Sequence, residues 1–258
     1  MLRALAVVVA CCAGWAAAQD RVLPLSALRS GISFAGADVR AMQADDAANP
    51  GMLWVERGEK LWGEPAGAAG ASCASCHGAA KSSMRGVAVR YPAFDATAGT
   101  VFDLEARIDD CRTRRQRAPP LRRESDDLLA LTTYVAWQSR GLTLDVKVDG
   151  PARASFERGR ALYGQRHGQM NIACTQCHDQ NWGKRLLAET ISQGHPNAFP
   201  AYRLEWQGSG SLQRRIRACF FGIRADMPPA GAQELTDLEL YLAWRALGLP
   251  IETPGVRR

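Results

Sequence analysis

Two pentapeptides of the form Cys-x-x-Cys-His, Cys73-Ala74-Ser75-Cys76-His77 and Cys174-Thr175-Gln176-Cys177-His178, restrict this chain more than any other feature. The spacing is the attachment signature of a c-type haem. The two thiols add across the vinyl groups of one macrocycle, and the adjacent histidine gives the iron one axial ligand. A chain with two such motifs is expected to fold around two covalently attached haem c groups. Its chemistry is then electron transfer or redox catalysis.

The motifs lie in matching flanks. Gly58 stands 15 residues before Cys73, and Gly159 stands 15 residues before Cys174. Downstream come Arg107-Ile108-Asp109-Asp110-Cys111 and Arg215-Ile216-Arg217-Ala218-Cys219, followed by Pro119-Pro120 and Pro228-Pro229. Tyr134, Ala136, Trp137, Gly141 and Leu142 near the end of one half match Tyr241, Ala243, Trp244, Gly248 and Leu249 in the other. Repetition on this scale predicts an all-α fold of two tandem cytochrome-c-like haem domains related by internal duplication. The expected division is a signal peptide at 1–18, an N-terminal extension at 19–48 that wraps or caps the first domain, a first haem domain at 49–145, and a second at 150–258 that carries the active site. Gly150-Pro151 marks the boundary. Asn49-Pro50 predicts the start of one helix, Ser125 caps another, and Thr236-Asp237-Leu238-Glu239 has the form of a capping box.

Arg3, the apolar run from Leu5 to Cys12 and the small residues Ala16-Ala17-Ala18 form a secretory signal. Export to the periplasm suits haem c, and no later stretch is apolar enough to cross a bilayer. The formal net charge is +6. Haem propionates offset most of it, no nucleic-acid-binding motif is present, and nucleic acid is not expected as a partner.

Of the 8 cysteines, Cys11 and Cys12 leave with the signal and four hold haem, so Cys111 and Cys219 remain. A disulfide between them is one reading. Each, however, occupies the same repeat position in its own half, which favours two equivalent local roles, and a sixth iron ligand is such a role. No histidine follows His77 before the linker, and Met84 is too near to reach the opposite haem face, which leaves Cys111. In the second half His195 and Met227 compete with Cys219, and the repeat favours Cys219. His195 is expected to order a loop near the second haem, His167 to lie at the surface, and Trp137 and Trp244 to pack in the core.

Arg107 and Arg215 each precede their cysteine by four residues, so on a helix each shares a face with its sulfur. A cation there favours thiolate over thiol. Glu105, Asp109 and Asp110 surround Cys111, whereas Arg214, Arg217 and Arg224 surround Cys219, with no acidic residue from Leu212 to Ala225. An anionic substrate is drawn to Cys219. A solvated basic helix face is the alternative.

Four segments carry a more specific resemblance: Gln43 to Trp62, Arg107 to Pro120, Ile191 to Trp206, and Gly210 to Cys219. In these the chain resembles the SoxA family, the diheme c-type subunits of the L-cysteine S-thiosulfotransferase of bacterial thiosulfate oxidation. The resemblance implies His77/Cys111 and His178/Cys219 ligation. It further implies that Cys219 is the active-site sulfur, carried as a persulfide, with Arg215 beside it. The implied reaction joins thiosulfate oxidatively to a cysteine of the SoxYZ carrier protein. Two electrons leave through haem to a SoxX-like monohaem cytochrome c and then to a small cytochrome c acceptor. A thiosulfate dehydrogenase forming tetrathionate, or a diheme electron carrier without chemistry of its own, are the rival readings.

Overall fold

The computed structural model describes residues 23–258. The expected signal peptide, with Cys11 and Cys12, lies outside the described residues. After two short 3-10 turns the chain forms α1 (Ala37–Ala44), α2 (Met52–Gly63), α3 (Cys73–His77) and α4 (Ala80–Ser83). A hairpin of β1 (Ala93–Asp95) and β2 (Thr100–Phe102) leads into α5 (Leu104–Cys111), a π turn at Arg112–Gln116, and α6 (Asp126–Trp137). The second half repeats the order with α7 (Arg153–Gly164) and α8 (Cys174–His178). It then inserts a hairpin of β3 (Arg185–Leu186) and β4 (Glu189–Thr190). Next come β5 (Ala201–Arg203), β6 (Gly208–Gly210), α9 (Leu212–Gly222), α10 (Gln233–Arg245) and β7 (Gly255–Arg257).

The protein is thus mostly helical rather than all-α. Its strands are two or three residues long, too short for a period-two pattern to show in the sequence. β1 and β2 pair antiparallel with Asp95 opposite Thr100, and β5 and β6 pair the same way with Arg203 opposite Gly208. β7 adds a parallel strand to β5.

Each half is built on one helix crossing, α2 on α6 and α7 on α10. The crossings close at the glycines whose spacing the sequence repeats. A Cβ on Gly58 would overlap the Ala130 carbonyl, and one on Gly159 would overlap the Asp237 carbonyl. Around them Val55, Trp62, Tyr134 and Val135 pack one core, and Phe156, Tyr163, Leu238, Tyr241 and Trp244 the other. Trp137 packs at the edge of the first core. A buried side chain of this size contributes about 1.5–3 kcal/mol.

Two caps differ from expectation. Asn49 accepts from Gly51 N at 2.9 Å and donates to Pro254 O at 2.9 Å, so it orders the turn ahead of α2 and ties it to the C-terminus. Thr236 lies inside α10, which begins three residues earlier at Gln233. Its partner in the supposed capping box, Glu239, is buried instead. Ser125 does cap α6, accepting from Leu128 N.

The N-terminal extension is the larger correction, because it engages the second half. Arg29 N donates to Gln193 Oε1 at 2.7 Å, and Gln193 Nε2 donates to Ala27 O at 2.9 Å. His195 Nδ1 lies 2.9 Å from Arg29 O, and Val256 N donates to Gln43 Oε1 at 2.9 Å. Leu28 packs with Leu249 and Ile251. The polar side chains of 193–197, read in sequence as loop residues, are the docking edge for this segment.

The halves meet over buried carboxylates. Arg123 pairs with Asp103 and Glu105, and Gln213 Nε2 donates to Asp103 at 2.9 Å. Glu239 lies on a cavity of about 110 Å³ between the halves, and burial and the nearby Asp103, Glu105 and Glu124 raise its carboxyl well above the usual range, against the pull of Arg123. The folded chain therefore holds this proton at pH values where the unfolded chain has lost it. Stability present at and below pH 4.5 should be lost as pH rises above it. In urea titrations from about pH 5 to about pH 8, Glu239→Gln should flatten that decline, and an unchanged slope would rule the assignment out.

Candidate haem and sulfur centres

Both Cys-x-x-Cys-His motifs form one short helix each, which sets the two thiols on one face with the histidine at the end. The Ser72 side chain accepts from Ser75 N at 3.0 Å and the Ser75 hydroxyl accepts from Ser72 N at 3.0 Å, starting the first helix. Gln176 accepts from Ala173 N at 2.8 Å to start the second. Each donor set fits a covalent haem c: two thiols one helical turn apart, followed by an imidazole.

The second imidazole is the better held. His178 Nδ1 lies 2.8 Å from Ser192 O, which fixes the ring and leaves Nε2 for a ligand. Gly194, at φ +72°, lies flat against that ring, and a Cβ there would come within 3.0 Å of His178 Cγ. Asp179 accepts from Tyr163 Oη at 2.9 Å and pairs with Arg245, whose guanidinium lies over the Tyr163 ring. Sequence reasoning missed this Asp179–Arg245 pair, and the signal for it was the change from Gly78 in the first motif to Asp179 in the second. His77 is exposed, with Trp62 beside it donating to Gly78 O at 2.9 Å.

Cys111 and Cys219 are both free thiols, and each sits with its own motif. Cys111 ends α5 close enough to Cys73 and Cys76 for their charges to be felt. Cys219, on α9, hydrogen-bonds to His178 and lies by Cys174 and Cys177. The expected rivals lie elsewhere: Met227 is exposed, and His195 is held by the N-terminal extension. His167, expected at the surface, is half-buried and packs on Phe220 with ring centroids 5.2 Å apart.

The two sulfurs have opposite surroundings. Burial raises the Cys111 thiol, and Arg107 and Arg115 do not overcome it with Asp110 at hand. Burial acts on Cys219 as well, but the His178 hydrogen bond and the charges of Arg215, His178 and Arg203 outweigh it and hold that thiol below the usual range. The difference begins with the arginines. Arg107 is spent on Asp95, Asp110 and the Tyr91 hydroxyl. Residues 199–219 follow 91–111 at a constant offset, so the equivalents are Arg203, Ala218 and Phe199, and none can accept a hydrogen bond from Arg215 through its side chain. Arg215 is half-buried, and among the described residues it has no carboxylate partner. A free guanidinium next to an acidified thiol, at the end of a haem motif, is suited to hold an oxyanion against a sulfur nucleophile.

No helix among the described residues is long and apolar enough to cross a membrane. The family model of the SoxA/TsdA cytochrome c domain matches residues 57–144, which include the first motif and Cys111. The L-cysteine S-thiosulfotransferase subunit SoxA of Pseudaminobacter salicylatoxidans is 44% identical over 230 residues, covering 89% of this chain and 80% of that protein. The subunit of the same name from Rhodovulum sulfidophilum is 38% identical over 230 residues, with the same coverage of 89% and 80%. The crystal structure of SoxXA from P. pantotrophus superposes with a TM-score of 0.86 at 36% identity, covering 89% of this chain and 86% of that one. The cytochrome c match means covalently bound haem c. Identity at this level over nearly the whole of the described chain decides the matter: this protein belongs to the SoxA family of L-cysteine S-thiosulfotransferase subunits.

Proposed function

We propose that this chain is a diheme c-type cytochrome, exported to the periplasm, that conjugates thiosulfate to a cysteine of a SoxYZ-type carrier. Its two haem domains, 49–145 and 150–258, descend from one by duplication, a reading supported by the repeated element order and by the constant offset between 91–111 and 199–219. Cys73 and Cys76 attach the first haem, with His77 and Cys111 as its ligands. Cys174 and Cys177 attach the second, with His178 and Cys219. A SoxX-like monohaem cytochrome c is the partner in a heterodimer, in keeping with the SoxXA likeness, and a small cytochrome c lies downstream.

The single observation that carries this reading is Arg215, half-buried beside Cys219 with no carboxylate to neutralise it. It holds the sulfonate of thiosulfate so that the sulfane sulfur faces Cys219. Cys219, carried as a persulfide, positions that sulfur for the carrier thiolate, which takes over the group in a covalent transfer. The net step forms one S–S bond between the carrier cysteine and thiosulfate and releases two electrons. Haem, when bound, supplies the electron acceptors.

The test is turnover of the holoprotein with its cytochrome partner, thiosulfate and an oxidising acceptor, with carrier added or withheld. Intact mass of the carrier should show a thiosulfonate adduct on its cysteine. Tetrathionate made without carrier would move the protein to the dehydrogenase class. Neither product, with haem intact, would leave a plain electron carrier.

A further inference from the structure

The offset that aligns the two cysteine helices also aligns Asp95 with Arg203, each the last residue of the first strand of its hairpin and in the same register. In the first half this position delivers a carboxylate to Arg107, the arginine four residues before the cysteine. In the second half the same position delivers another guanidinium toward Arg215, and its charge also reaches the Cys219 sulfur. We infer that Arg203 is the specificity-determining charge that directs an oxyanion of the sulfonate class to Cys219 and not to Cys111. The inference rests on the S-thiosulfotransferase reading for its substrate and adds a residue to it.

Arg203 is built in rather than loosely attached. It is 4% exposed. Glu205 accepts from its Nε at 2.9 Å, and Glu189 accepts from its Nη2 at 3.3 Å. Glu189 comes from the β3–β4 hairpin, which the first half lacks. The Trp206 ring is covered by two guanidinium groups, Arg203 with its carbon 5.0 Å from the centroid and Arg214 at 4.1 Å. Holding Arg203 near Arg215 has a cost, because burial and the like charge both work against the Arg203 cation. An anion between the two relieves that repulsion. The fold therefore stores at Cys219 an electrostatic demand for an oxyanion, and at Cys111 it cancels the same demand with Asp95.

The test uses the full chain with its haems and its cytochrome partner. Carrier conjugation gives KM and kcat for thiosulfate. Separately, thiosulfate is titrated into the oxidised protein without carrier, and the electron paramagnetic resonance signal of each haem is followed. Arg203→Gln should raise KM and the half-saturating thiosulfate concentration about tenfold, with kcat within about threefold. Arg203→Lys should recover most of the loss, because charge rather than fork geometry is at stake. Unchanged KM and half-saturation in an Arg203→Gln protein with wild-type haem content and melting temperature would overturn the inference. If Arg203→Gln fails to retain its haems, Asp95→Asn decides. A thiosulfate-dependent shift of the first-haem signal, absent in wild type, supports the inference, and an unmoved signal overturns it. Arg203-dependent thiosulfate binding in a protein that forms no carrier adduct would sink the transferase reading alone.

Discussion

Arg215→Ala in the holoprotein should lower kcat/KM for thiosulfate by about 10²–10³-fold, the usual effect of removing one preorganised charge from a transition state. The haem spectrum should be unchanged, because Arg215 neither attaches nor ligates haem in this reading. The size of the effect follows from the absence of a substitute. Arg203 is engaged by Glu189 and Glu205, and Arg217 Nε donates to Pro228 O at 2.9 Å, so neither is free to take over the sulfonate. Arg215→Lys should recover only part of the activity, since an ammonium cannot grip two oxygens with a planar fork. Steady-state conjugation assays with haem quantified on the same sample check this, and near-normal turnover in Arg215→Ala would refute the role. The matched control is Cys111→Ser, which should disturb the first haem spectrum with far less effect on adduct formation.

Gly159→Ala should be the most destabilising single methyl in the second half. Its helix crosses α10 so closely that the new Cβ would overlap the Asp237 carbonyl. The obstacle is backbone, held in α10 and flanked by the Arg158–Asp237 ion pair, so no side chain can rotate away. Separating the helices would loosen Phe156, Tyr163, Tyr241 and Trp244 together. A loss of about 3 kcal/mol is expected, which for a chain of this size lowers the melting temperature by about 10 °C. Thermal unfolding followed by circular dichroism measures it. A shift of only a degree or two would mean that the crossing is not the close contact described. Gly58→Ala makes the parallel test in the first half, against the Ala130 carbonyl.

Those glycines show what a single sequence can reveal. Their identical spacing to the haem motifs was visible without coordinates, and so were the four-residue steps from Arg107 to Cys111 and from Arg215 to Cys219. Features fixed by local periodicity were legible. The neutralisation of Arg107 was only half legible. Asp110 lies three residues away on the same helix, but Asp95 reaches Arg107 through the β1–β2 hairpin, and strands of three residues leave no pattern to read. The charge reversal at Arg203 follows from aligning the halves one segment further upstream. Thr236 misled because a capping box is a local signal, and α10 was extended past it by burial of Thr236, Asp237 and Glu239 against the first half and α7. The docking of residues 27–43 had no local signal at all. It rests on pairings more than 150 residues apart in the chain.

That docking orders the assembly of the molecule in time. The segment that follows the export signal is the first part of the mature chain to emerge, yet Gln193, His195 and Val256 that hold it are among the last. Closure over such a span is entropically slow and comes late in folding. The edge beside His178 is therefore completed only when both ends of the chain are free and present. A tag or truncation at the mature N-terminus is accordingly a perturbation of the second sulfur centre, although the first motif is the nearer one in sequence.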